Sequence, residues 1–180
     1  MKLLIIADTD TFENQIGEAA AEVLIGCGDL DEALINRIAC KIGASRVLAV
    51  KGNHDTDGPF QSPIVDLHLK EFTYGDIRFG GFAGSWRYKP RGHHLYEQHE
   101  VSQLLADFPP VDVFVAHNSP RGIHDRNDEV HFGFNAFNDY IERAKPRLFL
   151  HGHQHVNRQT QVGPTQVIGV YGFRCLEIPE

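Results

Sequence analysis

The sequence predicts an α/β fold in which two sheets lie face to face with helices outside. Three observations carry that reading. The first 55 residues read β-α-β-α-β, the pattern of a parallel sheet with right-handed crossovers. The middle and tail change to alternating, hairpin-like segments. The chain of 180 residues has room for one sizeable core and not for two, and no linker, internal repeat or low-complexity segment interrupts it, so residues 1–180 are expected to form a single domain.

The elements follow in order. Lys2 to Ala7 is a continuous apolar run, as in a strand buried on both faces. A short helix near Gln15 to Ala20 is expected to lead to a second such run, Glu22 to Cys27. Asp31 to Ile42 carries apolar residues at 34, 35, 38, 39 and 42, which is helical spacing, and Arg46 to Val50 is a third buried strand. Ile64 to Leu69 alternates, and Phe72 to Phe79 reads as two strands turning at Gly75-Asp76. Gln98 to Phe108 is expected to be a helix ended by Pro109-Pro110, Val111 to Ala116 a strand, and Phe134 to Ala144 a helix stopped by Pro146. Arg147 to Leu150 then leads into His151-Gly-His-Gln-His155, and the tail alternates around Gly163-Pro164 and Gly172.

Composition narrows the function. A net charge of −7 argues against a surface that grips long nucleic acid, but not against a small phosphorylated substrate, because bound cations reverse the local sign. The 11 histidines point toward metal chemistry. Cys27, Cys40 and Cys175 are widely spaced and odd in number, so neither a disulfide framework nor a zinc knuckle is expected; Cys27 and Cys175 sit in apolar runs and read as core residues. No stretch is long and apolar enough to span a membrane, and no signal peptide precedes the first strand, which makes the cytoplasm the expected location.

The chemistry gathers where strands end. Asp8 and Asp10 lie at and just past the first strand, and both side chains point one way if the extended conformation persists. Gly28-Asp29 ends the second strand, Gly52-Asn-His-Asp55 follows the third, His117 ends the strand from Val111, and His153 and His155 follow the strand from Arg147. In open α/β sheets ligands collect at that edge. Two divalent ions about 4 Å apart need a shared anion between them, and a carboxylate such as Asp29 can bridge where imidazole cannot. Asp, Asn and His supply the hard oxygen and borderline nitrogen donors that the other positions require. Glycine before Asp29, Asn53 and His153 removes a Cβ from each tight turn. Any one of these residues alone reads as a cap, a turn or a core histidine; together and in this order they do not.

The ordered set resembles the calcineurin-like metallophosphoesterase superfamily, whose pattern is D-x-H, G-D, G-N-H-[DE], H and G-H-x-H, and the resemblance runs from Asp8 to His155. It implies a four-layer α-β-β-α sandwich of two mixed sheets flanked by helices. It also implies two metal ions, the first on Asp8, Asp29 and His155, the second on Asp29, Asn53, His117 and His153. His54 would stay off the metals near the leaving group, with Asp55 orienting it. Asp10 stands where the family has histidine. If Asp10 ligates, the first site becomes harder and leans toward manganese, with iron, nickel, zinc or magnesium as alternatives.

The segment Ser85 to His94 interleaves positive charge with aromatics, and Arg87 and Arg91 within it are candidate contacts for a phosphate. Arg121 to His131 is a second polar loop that could wall the other side. His68, His93, His94, His99, His124 and His131 have no motif partner and are expected at the surface. The activity expected is hydrolysis of a phosphomonoester or phosphodiester by a hydroxide bridging the metals, with His54 as general acid. The alternative is a protein-binding scaffold on the same fold, which would have no use for His54. Substrate identity and oligomeric state are not legible.

Overall fold

The computed structural model describes residues 1–17 and 20–179. In chain order the first elements are β1 (Lys2–Ala7), β2 (Val23–Gly26), α1 (Glu32–Ile42), β3 (Arg46–Ala49) and β4 (Ile64–Asp66). There follow β5 (Glu71–Tyr74), β6 (Ile77–Phe82), β7 (Ser85–Trp86), β8 (Leu95–Tyr96), α2 (Gln98–Leu105) and β9 (Val113–Ala116). The last are α3 (Asn135–Ala144), β10 (Leu148–His151), β11 (Arg158–Val162), β12 (Thr165–Gly169) and β13 (Gly172–Glu177).

Two mixed sheets result, ordered β13-β1-β2-β3-β4 and β11-β12-β10-β9-β6-β5. In the first, β1 to β4 run parallel and β13 closes the edge antiparallel to β1. In the second, β6, β9, β10 and β12 run parallel between antiparallel edge strands β5 and β11. Alternate residues of each buried strand face opposite ways, and the three core clusters follow from that. Leu3, Ile5, Ile25 and Leu48 meet Phe79, Val113, Val115 and Leu150 between the sheets. Leu4, Ile6 and Leu24 pack on Leu34, Ile35 and Ile38 of α1, while Phe114 and Phe149 pack on Val101 of α2 and Phe137 and Tyr140 of α3. The order of layers is therefore helix, sheet, sheet, helices, as the resemblance implied.

The helices begin and end for local reasons. Asp31 caps α1 by accepting from the Ala33 N–H at 2.6 Å, and Gly43, at φ +67°, ends it in the left-handed conformation. Glu97 and Glu100 form a capping box at the start of α2. Among the described residues no helix is long and apolar enough to cross a membrane.

Four expectations are corrected. Residues 11–15 form a turn and 16–17 no regular structure, so the helix expected over 15–20 is not seen in its described part; residues 18 and 19 lie outside the described residues. The segment 85–96 is not a plain loop, because β7 and β8 pair in parallel across it. Cys175 is exposed, since β13 is an edge strand and that position alternates outward, whereas Cys27 is buried as expected. His124 is buried at 8% exposure, not superficial.

Candidate metal centre

Parallel strands deliver their carboxyl ends to one edge, and here both sheets do so side by side. Cross-sheet hydrogen bonds tie the two edges together. The His117 ring donates from Nδ1 to the Cys27 carbonyl at 2.8 Å across the sheets, while within the second sheet the Gly152 N–H donates to the His117 carbonyl at 3.0 Å. The His153 N–H donates to Asp8 Oδ1 at 2.9 Å, across 145 residues of chain.

Asp8, Asp29 and His117 are brought together so closely that one ligand atom from each lies within 4.8 Å of the others. His117 Nε2 stands 3.1 Å from Asn53 Oδ1 and 3.4 Å from Asp29 Oδ2. Because Nδ1–H is committed to Cys27, a neutral His117 turns a lone pair toward two oxygens that also offer only lone pairs. Either a second proton or a cation must lie between them. Asp8 Oδ2 repeats the problem, being buried with no hydrogen-bond partner among the described residues.

The charges respond accordingly. Burial pushes the Asp8 carboxyl up to about 7, against the pull of His117. Burial opposes charge on His117 too, but Asp29 and Asp8 outweigh it and raise the imidazole to about 9. Burial would also raise Asp29, yet His117 and the His54 N–H hold it well below the usual carboxylate range. His153 donates from Nε2 to the Val130 carbonyl at 3.1 Å, leaving Nδ1 with its lone pair. Burial and the neighbouring charge of His117 hold it neutral, the state a metal needs.

Two glycines make the cluster possible. A Cβ on Gly52 would stand 2.0 Å from Asp29 Oδ1, and one on Gly28, at φ +92°, would stand 2.6 Å from His117 Nδ1. Asp55 lies behind these turns. Its Oδ2 accepts from the Gly52 and Asp29 N–H groups at 2.7 and 2.9 Å, and its Oδ1 from Leu30 at 3.2 Å. No hydrogen bond joins it to the His54 ring, so Asp55 holds the two ligand loops together and does not orient His54 as expected.

The remaining site residues stand on the rim. His54 is exposed, with its N–H donating to Asp29 Oδ1 at 2.8 Å. His155 is exposed, its ring 4.9 Å from that of Tyr171. Asp10 is also exposed and, like His155, lies outside the group formed by Asp8, Asp29 and His117. The reason is that the chain leaves the extended conformation at Asp8, φ +66°, so the alternation that would align the two carboxylates stops there. Arg87 is engaged elsewhere, with Glu97 at 3.2 Å, Glu100 at 3.6 Å and the Leu95 carbonyl at 2.6 Å. Arg91 is exposed.

Sequence reading missed two contributors. Tyr88 reaches the centre, its hydroxyl accepting from Asn53 Nδ2 at 3.3 Å. His124 and His151 form a buried pair, Nδ1 to Nε2 at 2.9 Å, completed by the Thr160 hydroxyl at 2.9 Å and the Gly152 carbonyl at 2.9 Å. Burial lowers their pKa values to about 4 and about 3, so the pair is neutral and braces the turn before His153. Only the cluster of positive charge and aromatics around Tyr88 carried any signal in the sequence.

A family model for calcineurin-like phosphoesterases matches residues 2–157. Among solved structures, phosphopantetheinyl hydrolase from Mycobacterium tuberculosis is 13% identical with a TM-score of 0.57, over 95% of this chain and 89% of that one. A single mutant of Vps29 from Entamoeba histolytica is 15% identical with a TM-score of 0.55, over 99% and 86%. A novel archaeal phosphodiesterase is 14% identical with a TM-score of 0.51, over 96% and 84%. At these identities the likeness concerns the fold. Comparison with curated proteins finds no significant match. The chain belongs to the calcineurin-like phosphoesterase family.

Proposed function

We propose that this calcineurin-like phosphoesterase is a dinuclear metal-dependent hydrolase of a small phosphomonoester or phosphodiester, with residues 1–180 acting as one domain. The observation that carries the reading is the set of facing lone pairs on His117, Asn53 and Asp29 beside the unpartnered Asp8 Oδ2. A buried site without cations would be expected to pair those atoms with donors. Asp8, Asp29 and His155 would hold one ion; Asn53, His117, His153 and the shared Asp29 would hold the other. Divalent ions bound there supply Lewis acidity and lower the pKa of a bound water. With Asp10 outside the cluster, the donors are three oxygen-bearing side chains and three imidazoles, a mixed set that suits a first-row divalent ion, manganese among them.

The chain's own residues do the rest. Asp55 fixes the spacing of the Asp29 and Asn53 loops through backbone donors. Tyr88 fixes the Asn53 amide so that its oxygen faces inward. His54, held by its backbone beside Asp29 but with an exposed ring, would donate a proton to the departing oxygen. Arg91, exposed and with no ion pair among the described residues, is the candidate for a phosphoryl oxygen, Arg87 being committed to Glu97 and Glu100.

The test is metal content after dialysis against Mn²⁺, Ni²⁺, Zn²⁺ and Mg²⁺ separately, followed by turnover of chromogenic mono- and diesters. Two ions per chain with turnover are expected. A protein that takes up none sinks the reading, and one that takes up two without turnover points to a scaffold.

A further inference from the structure

The polar loop that follows His117 returns to the metal centre at its far end. Val130 supplies the carbonyl to which His153 Nε2 donates at 3.1 Å. The next residue, His131, has its ring centre 5.2 Å from that of His153 and 6.3 Å from that of His155. His117 and His153, which share an ion in the reading above, stand 4.9 Å apart by the same measure. We propose that His131 is a further ligand of the centre, binding through Nε2 the ion held by Asp8, Asp29 and His155. The inference rests on the dinuclear reading and completes the poorer of its two sites.

The ring is prepared as a ligand's would be. Its Nδ1 donates to Asp128 Oδ1 at 2.9 Å and to Oδ2 at 3.0 Å. The same carboxylate accepts from the His131 N–H at 2.7 Å and the Val130 N–H at 3.0 Å. Those bonds, the His131 N–H foremost, hold Asp128 down at about 2, so it only accepts and the ring hydrogen belongs on Nδ1. In the neutral ring the lone pair then falls to Nε2, which has no hydrogen-bond partner among the described residues. A histidine that gives one N–H to a carboxylate and keeps its other nitrogen for an ion is the usual arrangement of a metal-bound imidazole. The backbone is held as well. Gln154, between the two histidines of the turn, donates from Nε2 to the His131 carbonyl at 3.0 Å, and Asn118, next to His117, donates from Nδ2 to the Phe132 carbonyl at 2.9 Å. Both side chains are buried, so the residues that neighbour the ligands also carry His131. The choice of ion follows from the donors. Asn53, His117, His153 and Asp29 already serve one ion, whereas Asp8, Asp29 and His155 leave the other a donor short, with Asp10 outside the cluster. His131 brings the absent imidazole from a different loop.

The test is zinc binding, read without substrate. Histidine ring ¹⁵N resonances of the full chain, with His131 assigned by correlation from its own backbone, are followed as Zn²⁺ is added to the metal-free protein. The Nε2 resonance of His131 is expected to shift as the ions fill, while Nδ1 keeps its hydrogen on Asp128. Calorimetry on variants gives the size of the effect. His131→Gln should weaken one of the two ions by about 100-fold and leave the other within a few-fold, with the Tm of the metal-free protein unmoved. Asp128→Asn, which keeps the acceptor but not its charge, should weaken the same ion by about tenfold. Two ions bound with the His131 Nε2 resonance unmoved, or bound within a few-fold of the parent by His131→Gln, would overturn the proposal and leave the dinuclear reading standing. A parent protein that binds no zinc would sink both.

Discussion

The floor of the site and its rim are built on different principles. On the floor, Asp8, Asp29, Asn53, His117 and His153 are each fixed by backbone or by one another, and buried or nearly so. On the rim, His54, His155 and Asp10 are exposed, as is Arg91. The floor has electrostatic conflicts that a cation or added protons resolve, so substitution there is expected to act on ion binding first. The rim has no such conflict: apart from His155, which would reach one ion, its residues are free to be chosen by the substrate.

The sharpest way to break that contrast is to disturb the floor without touching a ligand. Gly52→Ala puts a Cβ where Asp29 Oδ1 now stands, at 2.0 Å. The Asp29 carboxylate must move, and metal affinity is expected to fall by about 100-fold, the upper end for changes that support ligands. Calorimetric titration with Mn²⁺ checks it. Affinity within a few-fold of the parent would mean that the floor is not rigid, and the contrast would fail.

His54→Ala tests the other half. A rim residue that acts on the leaving group should be removable with both metals kept. The rate is expected to fall about 10²- to 10⁴-fold on an alkyl ester and much less on a p-nitrophenyl ester, whose phenolate leaves without help. Loss of metal in this variant would move His54 to the floor.

The floor was also the part legible in sequence, and the reason is physical. Ions demand particular donors, parallel strands deliver them to one edge, and tight approach demands glycine, so Gly-Asp, Gly-Asn-His-Asp and Gly-His-Gln-His announce themselves. Buried strands did so as well, through unbroken apolar runs such as Lys2–Ala7, which falls on the strand observed. What failed depended on contacts between distant segments. The β7 and β8 pairing and the His124 and His151 pair bring together residues with no local pattern. The position of Asp10 turned on one dihedral angle at Asp8, which no spacing rule reports.

Proton competition sharpens the contrast in another way. In the metal-free protein Asp8 is raised to about 7 and His117 to about 9, so below 7 a cation must displace protons from both, and between 7 and 9 from His117. Affinity for Mn²⁺ is therefore expected to rise with pH, by about tenfold per unit between those values, and to level off above them. Titrations in buffers of different ionisation enthalpy count the protons released. A flat profile would place the cation away from His117.

The smallest effect concerns Arg87, which sequence placed on the rim as a phosphate contact and the structure ties to Glu97, Glu100 and the Leu95 carbonyl. Those partners lie at the start of α2 and the start of β8, so the guanidinium braces the wall that carries Tyr88 without facing the metal centre. The ion pairs are one-third exposed on the Arg87 side, where such pairs contribute no more than about 1 kcal/mol. Arg87→Ala should therefore lower Tm by only about 2–4 °C, the shift that 1 kcal/mol produces in a chain of this size, and leave KM for a phosphomonoester unchanged. Arg91→Ala, at an exposed position with no partner to lose, should do the opposite, raising KM without moving Tm. A KM increase in Arg87→Ala that matches the one in Arg91→Ala, at equal Tm, would return Arg87 to the substrate and show that its salt bridges open when an ester binds.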